Sequence, residues 1–233
     1  MRRSEINALI EHAKQVLREN GFRLPAFAFW TAEDWRNKGA ECDEIRDCKL
    51  GWDVTDFGSG VFENIGLVVF TIRNGHHTLE RYRRTVYCEK ILIVREGQRT
   101  PMHCHLLKQE DIICRSGGNL VCQVYNRDAD GRLADTDVML SLDGVSRRVE
   151  AGHRFVLHPG DSIRLTPLVF HEFCAEPGSG TSVVGEVSTV NDDAADNIFL
   201  HALGRFPEII EDDEPTHLLC TEYQRNSSPK SSG

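Results

Sequence analysis

Residues 97–117 decide the fold of this chain, and their sequence is GQRTPMHCHLLKQEDIICRSG. His103 and His105 are two residues apart, so on a β-strand their imidazoles point to the same face and can converge on one ion. Glu110 is out of phase with this pair. A turn near residues 106–108 would place Glu110 on the adjacent strand, pointing back to the same centre. The stretch therefore predicts two neighbouring strands that share a metal site.

A third imidazole from a distant strand would complete this site. His171 is the candidate, because it follows a Pro-Gly-Asp turn at 159–161 and a predicted strand at 162–165. His158, which directly precedes that turn, is the rival ligand. Three imidazoles and one carboxylate suit a first-row divalent ion with open positions for water or substrate, and Mn²⁺, Fe²⁺, Co²⁺ and Zn²⁺ all stay open.

From about residue 65 the chain consists of short β-prone runs separated by turn residues. The turn signals are Asn74-Gly75, Asp130-Gly131, Asp143-Gly144, Pro159-Gly160 and Pro177-Gly178. We expect strands at 67–72, 84–94, 109–114, 118–125, 137–142, 146–149, 153–157, 162–165, 172–175 and 182–187. Many short strands at this spacing predict a sandwich or a barrel.

The flanking segments predict additions to one barrel, since the sequence contains no tandem repeat. Apolar residues recur at helical spacing over residues 4–20, and a capping box at Thr31 predicts a short helix at 32–37. Residues 39–60 have no clear period and predict an ordered cover or loop. A helical turn is expected near residues 192–199.

These elements predict an all-β fold with an N-terminal helical extension, divided into four segments. The segments are an N-terminal helix and cover at 1–64, a barrel at 65–190, a C-terminal segment at 191–225 that packs on the barrel, and a disordered tail at 226–233.

Composition and charge exclude several classes of protein. The chain has 36 acidic and 27 basic residues and a net charge of −9, which argues against nucleic-acid binding because that surface needs a basic stripe. No apolar run of about 18 residues is present, so we expect no membrane span. The charged N-terminal helix lacks the apolar core of a secretory signal. Eight cysteines without a CxxC pair are expected to be reduced, so we expect a cytoplasmic protein.

Residues 97–117 resemble the first motif of the cupin superfamily, because two glycines, two histidines and a glutamate recur at that motif's spacing. Residues 160–171 resemble the second motif but depart from it. Their gap is longer than usual, and Ala175 stands where that motif commonly has Asn. The resemblance implies a single cupin barrel, a double-stranded β-helix of the jelly-roll type. The implied metal ligands are His103, His105, Glu110 and His171.

The wider chain is similar to the D-lyxose isomerase family, a sugar-isomerase branch of the cupins. The resemblance covers roughly residues 1–225 and includes the N-terminal helix, the Met-His-Cys-His run at 102–105 and the Asn-Asp-Asp segment at 191–193. It implies a manganese-dependent aldose–ketose isomerase that interconverts D-lyxose and D-xylulose, and also D-mannose and D-fructose. It further implies a homodimer.

Our hypothesis for the chemistry is that the ion polarises the sugar carbonyl while a side chain moves a proton between C1 and C2 through a cis-enediol. Lys108, in the turn between the predicted ligands, and Glu186, a carboxylate in the apolar run VVGEV, are the candidates, and their roles can be exchanged. Asp193 and Arg205 are further candidates for binding sugar hydroxyls. A hydride shift from C2 to C1 needs no base and stays open.

Three other functions use the same scaffold. An Fe(II) cupin dioxygenase has the same ligand set, but it would consume oxygen, whereas proton-transfer groups favour isomerisation. A non-catalytic sugar-binding cupin would bind without turnover, and a fold alone does not decide between them. A nucleotide-sugar epimerase usually lacks a metal, so an intact ligand set argues against it.

Overall fold

The computed structural model describes residues 1–201 and 204–224, so the tail predicted to be disordered at 226–233 lies outside the described residues. The α-helices of the described part are α1 (Arg3–Glu19), α2 (Ala32–Arg36) and α3 (Asp43–Asp47), and its 3₁₀ helices are Ala26–Phe29, Ala40–Cys42 and Glu80–Tyr82. Its strands are β1 (Gly51–Thr55), β2 (Leu67–Arg73), β3 (Tyr87–Val94), β4 (Arg99–His105), β5 (Glu110–Gly117), β6 (Leu120–Arg127), β7 (Leu133–Ala134), β8 (Val138–Leu142), β9 (Val145–Val149), β10 (Arg154–Leu157), β11 (Ser162–Leu165), β12 (Val169–Ala175), β13 (Ser182–Thr189) and β14 (Asn197–Phe199).

Within the described residues the strands form two antiparallel sheets. One has eight strands in the order β1-β2-β3-β13-β5-β11-β8-β9, and the other has six strands including the order β10-β6-β12-β4-β14, with β7 paired to β6. Side chains from both sheets meet in one core, for example Leu92 and Ile112 from the first and Leu120 and Phe173 from the second. The predicted all-β class is confirmed, and the curled sheets form a jelly-roll barrel.

The eight-stranded sheet is buried on both faces next to helix α1. Along β3, Leu92 and Val94 point into the barrel core, whereas Ile91 and Ile93 point outward into a second core. Helix α1 covers this outer core with the apolar face that its sequence predicted. Its buried residues include Ile6, Leu9, Ile10, Ala13, Val16 and Leu17. No helix in the described part of the chain has the length and apolarity needed to cross a bilayer.

Two predicted local structures differ from those observed. Residues 39–60, predicted as cover or loop, contribute strand β1, which pairs with β2 in the eight-stranded sheet. This strand was not predicted because Asp53 interrupts the apolar pattern of its sequence. The Asp53 carboxylate is buried against Arg205. The helical turn predicted near 192–199 is a single turn followed by β14, because residues 197–199 find backbone partners on β4.

The two glycines of the 97–117 stretch have conformations that other residues rarely adopt. Gly97 has φ of 76° and Gly117 has φ of 78°, both in the left-handed region. A Cβ atom at Gly117 would also collide with the carbonyl oxygen of Thr181. Gly97 therefore lies in the turn before β4, and Gly117 ends β5.

We predict that Ile10→Ala destabilises the whole chain in a single unfolding transition, because α1 shares its core with the barrel. The cost is about 2–4 kcal/mol, as expected for a fully buried side chain. Urea unfolding followed by tryptophan fluorescence and by far-UV circular dichroism measures it. Val86→Ala, at a position that is 64% exposed, is the control and costs about 0.5 kcal/mol or less. An Ile10→Ala transition confined to the helix would contradict the shared core.

Candidate metal centre

Three histidines meet at the neighbouring strands β4 and β12 of the six-stranded sheet. His171 lies directly opposite His103 in the antiparallel register, and His105 follows two residues later on the same face of β4. The ring centroids of His103 and His171 are 4.3 Å apart, and those of His103 and His105 are 5.1 Å apart. One ring nitrogen from each histidine lies within 4.8 Å of the others, so the group can hold a metal ion.

Backbone carbonyls orient two of these rings. Nδ1 of His103 is 2.8 Å from the carbonyl oxygen of Pro101, and Nδ1 of His171 is 3.0 Å from that of Val169. An Nδ1–H group that donates to a carbonyl leaves Nε2 as the lone-pair atom, which is the usual arrangement for a metal-ligating histidine.

Glu110 reaches the same centre from the eight-stranded sheet, where it is the first residue of β5. The predicted neighbouring strand was wrong in this respect, because β5 pairs with β11 and β13 and not with β4. Its Oε1 is 2.9 Å from Nε2 of His171, and its Oε2 is 3.4 Å from Nε2 of His105. Neither Nε2 makes a hydrogen bond of acceptable geometry within the described residues, although both are buried. Buried nitrogen lone pairs that converge with a carboxylate and lack a proton donor are what a divalent ion satisfies, so these residues fit a metal.

The turn between His105 and Glu110 is held by Asp196. Its carboxylate accepts hydrogen bonds from the backbone N–H groups of Leu107 at 2.7 Å and Lys108 at 2.9 Å. The same carboxylate lies 3.9 Å from Nδ1 of His105. Asp196 therefore holds the turn that brings Glu110 of the eight-stranded sheet to the histidines.

The electrostatics of the centre favour a neutral His103 and an ionised Glu110. Burial lowers the pKa of His103 well below its ordinary value, and repulsion from His171 and His105 adds to this. Burial alone would raise the pKa of Glu110, but attraction to Lys108 and His105 holds it well below its ordinary range. Neutral imidazole and carboxylate are the protonation states that bind metals.

Two lysines surround a second buried carboxylate beside this centre. Nζ of Lys108 lies 2.7 Å from Oε2 of Glu110 and 2.9 Å from Oε1 of Glu186. Nζ of Lys90, on β3, lies 3.3 Å from the same Oε1. Burial alone would lower the pKa of Lys108, but Glu110 and Glu186 raise it above its ordinary value. The lysine therefore stays charged at neutral pH.

Arg205 and two carboxylates form the next part of the site. Nη2 of Arg205 is 2.6 Å from Asp53 and 3.2 Å from Asp193. Asp193 is in turn 3.6 Å from Nζ of Lys90. Burial would raise the pKa of Asp193, but Arg205 and the lysines hold it well below its ordinary range. Nη1 of Arg205 is buried and has no hydrogen-bond partner among the described residues.

Most of these groups line one cleft that also has apolar walls. Phe57, Phe173 and Phe199 contribute aromatic rings to it. Phe57 is unusual among them because its φ is 53°, in the left-handed region. An aromatic residue held there costs of order 1–3 kcal/mol.

The structure brings all eight residues singled out from the sequence to this one place. They are His103, His105, Lys108, Glu110, His171, Glu186, Asp193 and Arg205. The rival His158 lies elsewhere, exposed, with its Nδ1 3.0 Å from Oδ1 of Asn119. Three buried partners were missed, namely Lys90, Asp53 and Asp196. Lys90 directly precedes the apolar run at 91–94 of β3, but nothing in that pattern shows that its side chain faces the cleft.

We predict that His171→Ala lowers the Mn²⁺ affinity of the protein by at least about 10-fold, because it removes one of the converging ligands. Isothermal titration of metal-stripped protein with Mn²⁺ measures the affinity. His158→Ala is the matched control and keeps the affinity of the unmodified protein. Equal losses in the two variants, or none in either, would contradict the assigned centre.

Comparisons with known proteins identify relatives of this chain. The sequence model of the D-lyxose isomerase family matches residues 1–223. A D-lyxose/D-mannose isomerase from Escherichia coli O157:H7 is 44% identical over 227 residues, which cover 97% of this chain and 99% of that protein. A D-lyxose/D-mannose isomerase from Serratia proteamaculans is 45% identical over 226 residues, with the same two coverages.

Solved structures of similar fold include L-ribose isomerases. The enzyme from Cellulomonas parahominis, solved with L-psicose, superposes with a TM-score of 0.59 at 17% identity and covers 90% of this chain and 98% of that chain. An Acinetobacter sp. DL28 variant solved with L-ribose gives a TM-score of 0.57 at 15% identity, covering 88% of this chain and 94% of that chain. At these identities the likeness shows a shared cupin-like fold.

Proposed function

This chain belongs to the D-lyxose isomerase family and is a sugar isomerase, and we propose that it interconverts D-lyxose with D-xylulose and D-mannose with D-fructose. The observation that carries the proposal is a buried set of metal-type ligands in direct contact with an ion-paired lysine and carboxylate. An aldose–ketose isomerisation needs both a stabiliser of oxygen charge and a group that moves a proton between adjacent carbons.

We propose Mn²⁺ as the ion, with Co²⁺, Fe²⁺ and Zn²⁺ as the other ions that this ligand set suits. The residues that would hold it are His103, His105, Glu110 and His171. When bound, the ion supplies Lewis-acid stabilisation of negative charge on the sugar oxygens. The unpartnered, buried Nε2 atoms of His105 and His171 support this assignment.

Glu186 is the proposed base that carries the proton between C1 and C2 through a cis-enediol. Both lysine contacts of Glu186 use its Oε1, so Oε2 is the atom proposed to take the proton. Lys108, which stays charged between two carboxylates, is proposed to donate a hydrogen bond to the developing oxyanion rather than to act as the base. The contacts support this division of the two roles.

Arg205 and Asp193 are proposed to bind the hydroxyl groups beyond C2. Nη2 of Arg205 is taken up by Asp53 and Asp193, whereas Nη1 is buried without a partner among the described residues. A sugar hydroxyl that accepts a hydrogen bond from Nη1 would satisfy this donor. Such a contact fixes the orientation of the sugar, which proton transfer requires.

We also propose that the protein works as a homodimer with reduced thiols in the cytoplasm. All eight cysteines are free, and six of them are buried. Burial raises the pKa of Cys48 and of Cys104 to about 11, so few thiolates are present at neutral pH. Unreactive, buried thiols support a structural role for these residues.

We predict that metal-stripped protein is inactive on D-lyxose and that Mn²⁺ restores D-xylulose formation without uptake of oxygen. The ion is expected to be needed because it would stabilise negative charge on the sugar oxygens as the proton moves. Product analysis together with an oxygen electrode measures this. Metal binding without turnover of D-lyxose or D-mannose would overturn the proposed reaction, and oxygen uptake would point to the Fe(II) dioxygenase.

We predict that Glu186→Gln lowers kcat on D-lyxose by about 10²–10⁴-fold, because the amide keeps the shape of the side chain but cannot accept the proton. Mn²⁺ affinity stays near that of the unmodified protein. Glu172→Gln is the matched control, since Glu172 is half-buried on β12 and lies next to His171 on the opposite face. A Glu186→Gln variant with unchanged kcat would remove Glu186 from the mechanism.

A further inference from the structure

Phe57 has a backbone conformation that an aromatic residue rarely adopts, and three hydrogen bonds hold it there. Its N–H donates to Oγ1 of Thr55 at 2.9 Å, and its carbonyl oxygen accepts from the N–H of Gly204 at 3.1 Å. The Thr55 hydroxyl donates in turn to the carbonyl oxygen of Arg205 at 2.7 Å. Strain of this kind persists where the surroundings determine the conformation, and it concentrates at ligand sites.

These hydrogen bonds join Phe57 to the backbone of a residue that the proposed function uses. Arg205 is tied to Phe57 through Thr55, and its guanidinium carbon lies 5.9 Å from the centre of the Phe57 ring. The same hydrogen bonds therefore help to position both the Phe57 ring and the Arg205 guanidinium.

The ring of Phe57 is buried and forms part of the cleft wall. Its centre lies 5.7 Å from the centre of Phe199, and Phe199 lies 5.8 Å from the ring of His103. Phe199 thus packs close to both Phe57 and His103. A sugar whose first two carbons lie at the histidine end would extend past Phe199 toward Phe57 and Arg205.

We infer that Phe57 determines specificity by closing the far end of the sugar site, so that its ring limits how many carbons fit beyond C2. This inference rests on the proposed function. It adds a residue that determines how long a sugar the site accepts. A pentose and a hexose of the same configuration at C2 and C3 differ at this end by one carbon with its hydroxyl. An apolar wall discriminates such a difference through the space it leaves.

The contrasting explanation is that Phe57 only packs the barrel core, to which it also belongs. Loss of packing would lower the activity on both sugars through the amount of folded protein. It would not change the ratio of kcat/KM for two sugars, since that ratio is independent of the concentration of folded enzyme. The ratio is therefore the measurement that separates the two roles.

The experiment measures kcat/KM of Mn²⁺-loaded protein for D-lyxose and D-mannose in the unmodified chain, Phe57→Ala and Phe57→Trp. We expect the D-mannose to D-lyxose ratio to rise about 10-fold or more in Phe57→Ala and to fall in Phe57→Trp. Phe62→Ala is the matched control, because Phe62 lies in the same loop and is equally buried but packs in the outer core. Its ratio stays unchanged.

A ratio that stays within about twofold in Phe57→Ala, while both sugars are turned over, would overturn the inference. Phe57→Leu, which keeps an apolar side chain, gives the same test if the alanine variant does not fold. Failure of the proposed function has a different signature, since the unmodified protein would then turn over neither sugar.

Discussion

The burial of the Glu110 carboxylate between the two sheets is the constraint on which the rest of the site depends. The side chain is 2% exposed, and an isolated charge at such a position is strongly destabilising. Imidazoles of the six-stranded sheet approach its two oxygens from one side, and Lys108 of its own turn approaches from another. These contacts therefore join both sheets beside the cleft.

The balance of charge around Glu110 has a chemical consequence. Within the described residues, the connected cluster contains three cationic side chains, Lys90, Lys108 and Arg205. It contains four carboxylates, Asp53, Glu110, Glu186 and Asp193. These carboxylates outnumber the cations by one, in a cluster that lies beside the converging imidazole nitrogens. A divalent ion at this place would compensate the charge and use the lone pairs.

The convergence of His103, His105 and Glu110 could be predicted from the sequence because local rules determine it, whereas His171, also predicted, comes from the distant strand β12. The two-residue period of a strand places His103 and His105 on one face, and a short turn brings Glu110 back to them. The partners Lys90 and Asp53 could not be predicted in this way. No local pattern says which face of β3 meets the cleft, and the ion pair between Asp53 and Arg205 joins distant parts of the chain. Strand β14 was missed for the same reason, because its backbone partners lie on β4.

The central claim is that three histidines and Glu110 hold one catalytic metal ion, and anomalous X-ray diffraction from crystals grown with Mn²⁺ tests it most directly. The account predicts one strong manganese peak per chain, within bonding distance of His103, His105, His171 and Glu110. A strong peak at other residues, with no density between these four side chains, would contradict the account.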